Sequence, residues 1–331
     1  VRLYVAQCYF YQGRYIDALS LLENLCERRG SEKIKDAIIY WIAEVHFKGN
    51  DYRQAASNYQ RIIKEFPRSG YLADAYYSLG WCLFEQGRYK EAKDVFLEMM
   101  KRFPDRQISS DASFKVAQCL YNLKDYQGLK DYLSRNIDSY QHEGVEATYA
   151  YFYLAEAEYY LGNYDEAREK YLVALKRSND KYIESIVRLG LAWSALKRED
   201  FKEGFLYLQQ IHTDTLNKRE QESAKLLEAT LFSQLNRYEE AIPVYEWLIS
   251  KAEPPQTIME GYLGKADSLY NLGNFKEAIA VYREALDRLS AEELEYSSID
   301  RLHYGLAWAY LKEGEFKEAI NEFQKVVQKS D

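Results

Sequence analysis

The stretch that decides the fold is ADAYYSLGWCLFEQGRYKEAKDVFLEMMKRFP, residues 73–104. After the Gly87-Arg88-Tyr89 step, Ala92, Phe96 and Met99 stand three, seven and ten residues beyond Tyr89. Those offsets make one stripe of an amphipathic helix. The segment before Gly87 is also helical in pattern, with the small Gly80 nine residues ahead of Tyr89. A glycine just past a helix end suits the left-handed cap conformation, so Gly87 marks a turn and the stretch is a helical hairpin.

Working outward, the same hairpin returns along the chain. Its turn aromatic recurs as Tyr15, Tyr52, Tyr89, Tyr126, Tyr164, Phe201, Tyr238, Phe275 and Phe316, at intervals of 37, 37, 37, 38, 37, 37, 37 and 41. The small site at −9 from the aromatic is never violated: Ala6, Ala43, Gly80, Ala117, Ala155, Ala192, Ala229, Ala266 and Ala307. Small residues on both helices let two helix axes approach closely. Repetition of this length predicts an all-α solenoid of stacked antiparallel helix hairpins, each touching only its neighbours. The units fall at approximately 1–30, 36–67, 73–104, 110–141, 148–180, 185–217, 222–254, 259–291 and 300–331, which leaves no room for a separate catalytic domain. The fourth and sixth depart most, with Lys124 and Glu199 where the turn glycine belongs and Leu129 and Gly204 at the small +3 site.

The pattern resembles the tetratricopeptide repeat family, with 73–104 the best match through its small, aromatic and proline sites. The resemblance implies a right-handed superhelix. The period here exceeds the family's usual one, which predicts longer second helices or longer connectors, with irregular connectors near 139–147 and 289–299. Neither end of the chain reads as a polar cap, so the stretch reads as a piece cut from a longer protein or as one whose ends dock elsewhere. The tract Phe66-Pro67-Arg68-Ser69-Gly70-Tyr71 is similar to repeats of bacterial envelope proteins, which implies a periplasmic home, with the cytoplasm as the alternative.

Net charge is −8, divided as +1 over residues 1–148 and −9 over 149–331. The acidic half repels nucleic acid and anionic lipid and suits a basic partner. No span is apolar enough to insert in a membrane. Three of the four cysteines (Cys8, Cys82 and Cys119) share one offset, seven before the turn aromatic, which other units fill with small or aliphatic groups such as Ala157, Ser194 and Leu231. That makes them packing groups, since a free cysteine behaves as a small hydrophobe. His46, His142, His212 and His303 are scattered, and no phosphate loop, nucleophile elbow or metal-ligand spacing occurs, so no enzyme activity and no cofactor is expected.

In the family, first helices line the concave face. Carried over by offset, the −12, −8 and −5 sites share one helix face. They predict a partner groove of Tyr40, Glu44, Phe47, Tyr77, Trp81, Phe84, Phe114, Gln118, Tyr121, Phe152, Glu156, Tyr159, Trp193 and Trp308. Part of that set must also fill space between successive first helices. Trp81, Trp193 and Trp308 stand out because their −8 site is polar in the other six units. A face of rings and acids suits a protein or peptide segment with apolar anchors and basic flanks. Two other readings remain open: a glycan-handling superhelix of a polysaccharide secretion system, and a regulatory arm of an enzyme outside this chain.

Overall fold

A computed structural model describes residues 1–28, 30–104, 108–137, 145–288 and 296–327. Among them are eighteen α-helices and no strand. The first helices of the hairpins are α1 (Arg2–Tyr11), α3 (Lys35–Lys48), α5 (Leu72–Glu85), α7 (Ile108–Asn122), α9 (Val145–Tyr160), α11 (Lys181–Lys197), α13 (Lys218–Gln234), α15 (Pro255–Asn271) and α17 (Tyr296–Glu313). The second helices are α2 (Tyr15–Cys26), α4 (Tyr52–Glu65), α6 (Tyr89–Arg102), α8 (Tyr126–Asn136), α10 (Tyr164–Arg177), α12 (Phe201–Leu208), α14 (Tyr238–Lys251), α16 (Phe275–Arg288) and α18 (Phe316–Val327). The helices fall into two compact units, residues 1–161 and 162–331.

Each of the nine turn aromatics is the first residue of a second helix. The residue two positions before it has positive φ in all nine turns: Gly13, Asn50, Gly87, Lys124, Gly162, Glu199, Asn236, Gly273 and Gly314. The next residue's N–H reaches back to a carbonyl five residues upstream, as in Arg88 to Leu83, Asp125 to Leu120 and Asp200 to Ala195, each 2.9–3.0 Å. That bond and the left-handed residue together satisfy the last carbonyls of the first helix. The turn therefore imposes its geometry even on Lys124 and Glu199, where a side chain disfavours it.

The repeated small sites are the contact points of the core. Every −9 residue is buried, and Leu129, the departure at +3, is accommodated with no exposed surface. At +7, Leu22, Tyr59, Phe96, Leu133, Tyr171, Tyr245 and Tyr282 are buried. A ring of this kind removes about 150–250 Å² from water, worth roughly 4–6 kcal/mol before entropy at about 25 cal/mol per Å².

Neighbouring hairpins compensate for each other's size at this point. Where +7 is tyrosine, the residue at −11 of the following hairpin is minimal. Gly190 faces Tyr171, Gly264 faces Tyr245 and Gly305 faces Tyr282, and after Tyr59 the −11 residue is the small Ser78. Where +7 is leucine, the −11 residue is large: Trp41 after Leu22, Tyr153 after Leu133, Leu227 after Leu208.

The extra length of the repeat does not lie in longer second helices. These never exceed 14 residues and shrink to 8 at α12, while first helices reach 16 at α9, 17 at α11, α13 and α15, and 18 at α17. The irregular connectors expected near 139–147 and 289–299 lie mostly outside the described residues; 145–147 open α9 and 296–299 open α17.

Candidate functional site

Within residues 1–161 the predicted groove residues lie along the part-exposed stripe of successive first helices. Tyr40, Glu44 and Phe47 are on α3, Tyr77, Trp81 and Phe84 on α5, Phe114, Gln118 and Tyr121 on α7, and Phe152, Glu156 and Tyr159 on α9. All twelve are half-buried. Several of them reach across to a neighbouring first helix or down to their own second helix. Lys115 Nζ sits 3.5 Å from the centroid of the Trp81 ring and 5.0 Å from that of Phe84. Phe114 packs 5.8 Å from both Tyr149 and Tyr153, and the Tyr121 hydroxyl donates to Glu156 at 2.9 Å. Tyr40 stacks on Tyr71 at 4.5 Å, while Phe47, Phe84 and Tyr121 abut the turn aromatics Tyr52, Tyr89 and Tyr126. Burial beneath the rings lowers the Lys115 pKa to about 8 against the pull of Glu85.

The −8 site has a structural logic that offset counting alone does not show. A buried tyrosine hydroxyl at +7 needs a partner, and in two hairpins the −8 carboxylate of the same hairpin supplies it. Tyr59 donates to Glu44 at 2.6 Å and Tyr282 to Asp267, while Tyr245 bonds Ser233, at −5, at 3.2 Å. Tryptophan stands at −8 only where +7 carries no hydroxyl: Trp81 with Phe96, Trp193 with Leu208, Trp308 with Phe323. Trp193 is half-buried and its Nε1 donates to Ser223 at 3.1 Å, and Trp308 meets Phe323 edge-on at 5.9 Å. Of the three, only Trp308 is exposed, at 38 %.

In residues 162–331 the same three offsets build a second open feature. A cavity of about 290 Å³ is lined by Leu263, Asp267, Tyr270, Tyr282, Arg301, Tyr304, Gly305 and Trp308. Asp267 is open to solvent, yet protein crowds it enough that desolvation raises its carboxyl pKa above the ordinary range. Both hold for a group on the wall of a concave, water-accessible pocket. At the rim, Arg301 pairs with Glu260 at 2.8 Å. A larger cavity of about 500 Å³ opens beside the truncated α12, between Phe205, Leu208, Ile211, Ala224 and Trp247.

Among the described residues no three His, Cys, Asp or Glu side chains are grouped to hold a metal ion, and no helix is long and apolar enough to cross a membrane. The four cysteines are free; burial pushes the thiols of Cys82 and Cys119 up to about 12, as inert packing groups.

The sequence profile of the tetratricopeptide repeat matches residues 40–107, 132–182, 154–211, 226–293 and 263–331, well over half of the chain. A comparison with curated proteins gave no match. Solved structures share the fold at low identity. A tetratricopeptide repeat protein from Parabacteroides merdae aligns at TM-score 0.55 and 14 % identity, over 78 % of this chain and 93 % of its own. The apo form of the quorum sensor NprR from B. thuringiensis aligns at 0.61 and 13 %, over 100 % and 98 %. The apo form of RapI aligns at 0.61 and 12 %, over 99 % and 96 %.

Proposed function

The chain belongs to the tetratricopeptide repeat family, and from that premise we propose that it is a non-catalytic interaction scaffold holding an extended segment of a partner protein along the stripe of first helices. The observation that carries this reading is the row of rings across α3, α5, α7 and α9. Tyr40, Tyr77, Trp81, Phe84, Phe114 and Tyr121 keep part of their surface in water although a purely structural ring has every incentive to be covered. Aromatic residues of this kind, rigid and part-wet, are the usual anchors of a bound segment. Glu44 and Glu156 lie among them, so a segment with apolar side chains and basic flanks fits.

The test is to pan a displayed random peptide library on the purified chain and to measure the selected peptides against stripe variants. Trp81→Gln and Phe114→Gln should each weaken binding about tenfold or more, read at a temperature where circular dichroism shows each variant folded, since each also loses ring contacts. Selected peptides that bind both variants as tightly as the parent protein refute the reading.

A further inference from the structure

The cavity between α15 and α17 has a chemistry of its own. Asp267 brings a carboxylate to its wall, with one oxygen taken by the Tyr282 hydroxyl and no hydrogen bond to the other among the described residues. Tyr270, Tyr304 and Trp308 supply rings around it, the last two exposed at 52 % and 38 %. The rim charges cancel, because Arg301 is engaged by both carboxylate oxygens of Glu260 at 2.8 and 3.4 Å. What remains is one carboxylate with no ion pair of its own among the described residues, inside a partial collar of π-faces.

We propose that this pocket captures a single cationic side chain, the ammonium of a lysine or the guanidinium of an arginine, from the partner segment. Three observations select that ligand. An anion would face Asp267, with Arg301, the cation of the lining, already paired with Glu260. A cation gains from the carboxylate and from the ring faces together, and such attraction strengthens as water is excluded. The ring arrangement disfavours a sugar: Tyr304 and Trp308 meet at 72° with centroids 6.2 Å apart, and Trp308 meets Phe323 at 89°. Those angles make a corner that wraps a compact charged group, where a sugar ring stacks on a flat platform. A volume of about 290 Å³ accommodates one long side chain and no more than a short flank. The overall −9 of residues 149–331 draws the same class of ligand.

The proposal rests on the scaffold reading above, but it can be tested apart from it. The chain labelled with 5-fluorotryptophan is titrated with the Nα-acetyl amides of lysine, arginine, norleucine and glutamate, and with maltotriose, and followed by fluorine NMR. The Trp308 resonance should move saturably with the lysine and arginine probes and stay still with the other three. Asp267→Asn should weaken the lysine response about tenfold. Tyr304→Leu, at an exposed ring, should weaken it as well and serves if the first variant disturbs Tyr282. An equal response to norleucine, a response to glutamate or maltotriose in place of the cations, or unchanged affinity in both variants overturns the proposal. If Trp308 responds as stated while no peptide binds the stripe of α3 to α9, the pocket stands and the scaffold reading falls. If peptides bind that stripe while Trp308 never moves, the pocket alone is lost.

Discussion

Replacing Gly305 by alanine should test the packing between consecutive hairpins more sharply than any surface change. A Cβ at Gly305 would lie 2.6 Å from Tyr282 Cζ, 2.6 Å from its hydroxyl oxygen and 2.7 Å from Cε1. Ordinary contact needs about 3.5–4.0 Å, so the ring must retreat by roughly 1 Å. The buried ring, 1 % exposed, is held at its tip by Asp267, so a retreat toward the cavity it lines must break that bond. Overpacking of this kind costs about 1–3 kcal/mol, and the upper half applies to a ring pinned at both ends. Alanine's better helix propensity returns roughly 0.8–1 kcal/mol. The net loss is about 1–2 kcal/mol, or a melting temperature lower by roughly 2–8 °C for a unit of this size. Circular dichroism melts of four proteins make the assay: parent, Gly305→Ala, Tyr282→Leu and the double variant. Tyr282→Leu alone should destabilise by creating a void. In its background Gly305→Ala should gain the propensity of roughly 0.8–1 kcal/mol, giving a coupling of about 2–3 kcal/mol. A Gly305→Ala protein that melts at or above the parent, or that loses the same stability in both backgrounds, refutes size compensation between neighbours.

The turns, the buried hydroxyls and Lys115 give three further tests. Lys124→Gly and Glu199→Gly should each stabilise by about 0.5–1 kcal/mol in chemical denaturation, because both hold positive φ at a cost of roughly 1–2 kcal/mol that glycine avoids and only partly gives back as chain entropy. Tyr59→Phe should cost about 1–3 kcal/mol by leaving Glu44 without its donor, and Glu44→Leu added to it should recover part of that loss; a Tyr59→Phe melt equal to the parent contradicts the pairing. Lys115 has a folded pKa of about 8, below the ordinary lysine value, so between about pH 8 and 10.5 the unfolded chain holds more protons than the folded one. Stability then rises with pH across that window. Lys115→Met should lack this rise relative to the parent, and a variant with the parent's full pH dependence would show that the lysine is not desolvated.

The hairpins were legible because they rest on local and periodic signals: a turn aromatic, a small residue at −9 and a stripe at +3, +7 and +10. The turn was even more regular than its glycines suggest, since Asn50, Lys124, Glu199 and Asn236 adopt the same left-handed conformation. Context there overrides residue preference, and composition alone hides it. The pairing of Tyr282 with Gly305, or of Tyr171 with Gly190, was present in the sequence as a correlation between +7 of one hairpin and −11 of the next. It escapes a reading made one hairpin at a time. The same is true of the −8 site. Glu44 is predicted as a groove acid by offset, and it receives the hydroxyl of Tyr59, as Asp267 at the same offset receives that of Tyr282. The ion pair of Glu260 with Arg301 joins two −15 sites whose opposite signs have meaning only once α15 and α17 are side by side.

The most direct test of the scaffold reading is photocrosslinking of a library-selected peptide to chains carrying benzoylphenylalanine in place of Trp81, of Phe114 or of Leu97. The first two lie on the stripe of α5 and α7, while Leu97 is 40 % exposed on the second helix α6. Crosslinks at Trp81 and Phe114 with none at Leu97 are the predicted result. Crosslinks at Leu97 with a silent stripe would contradict it.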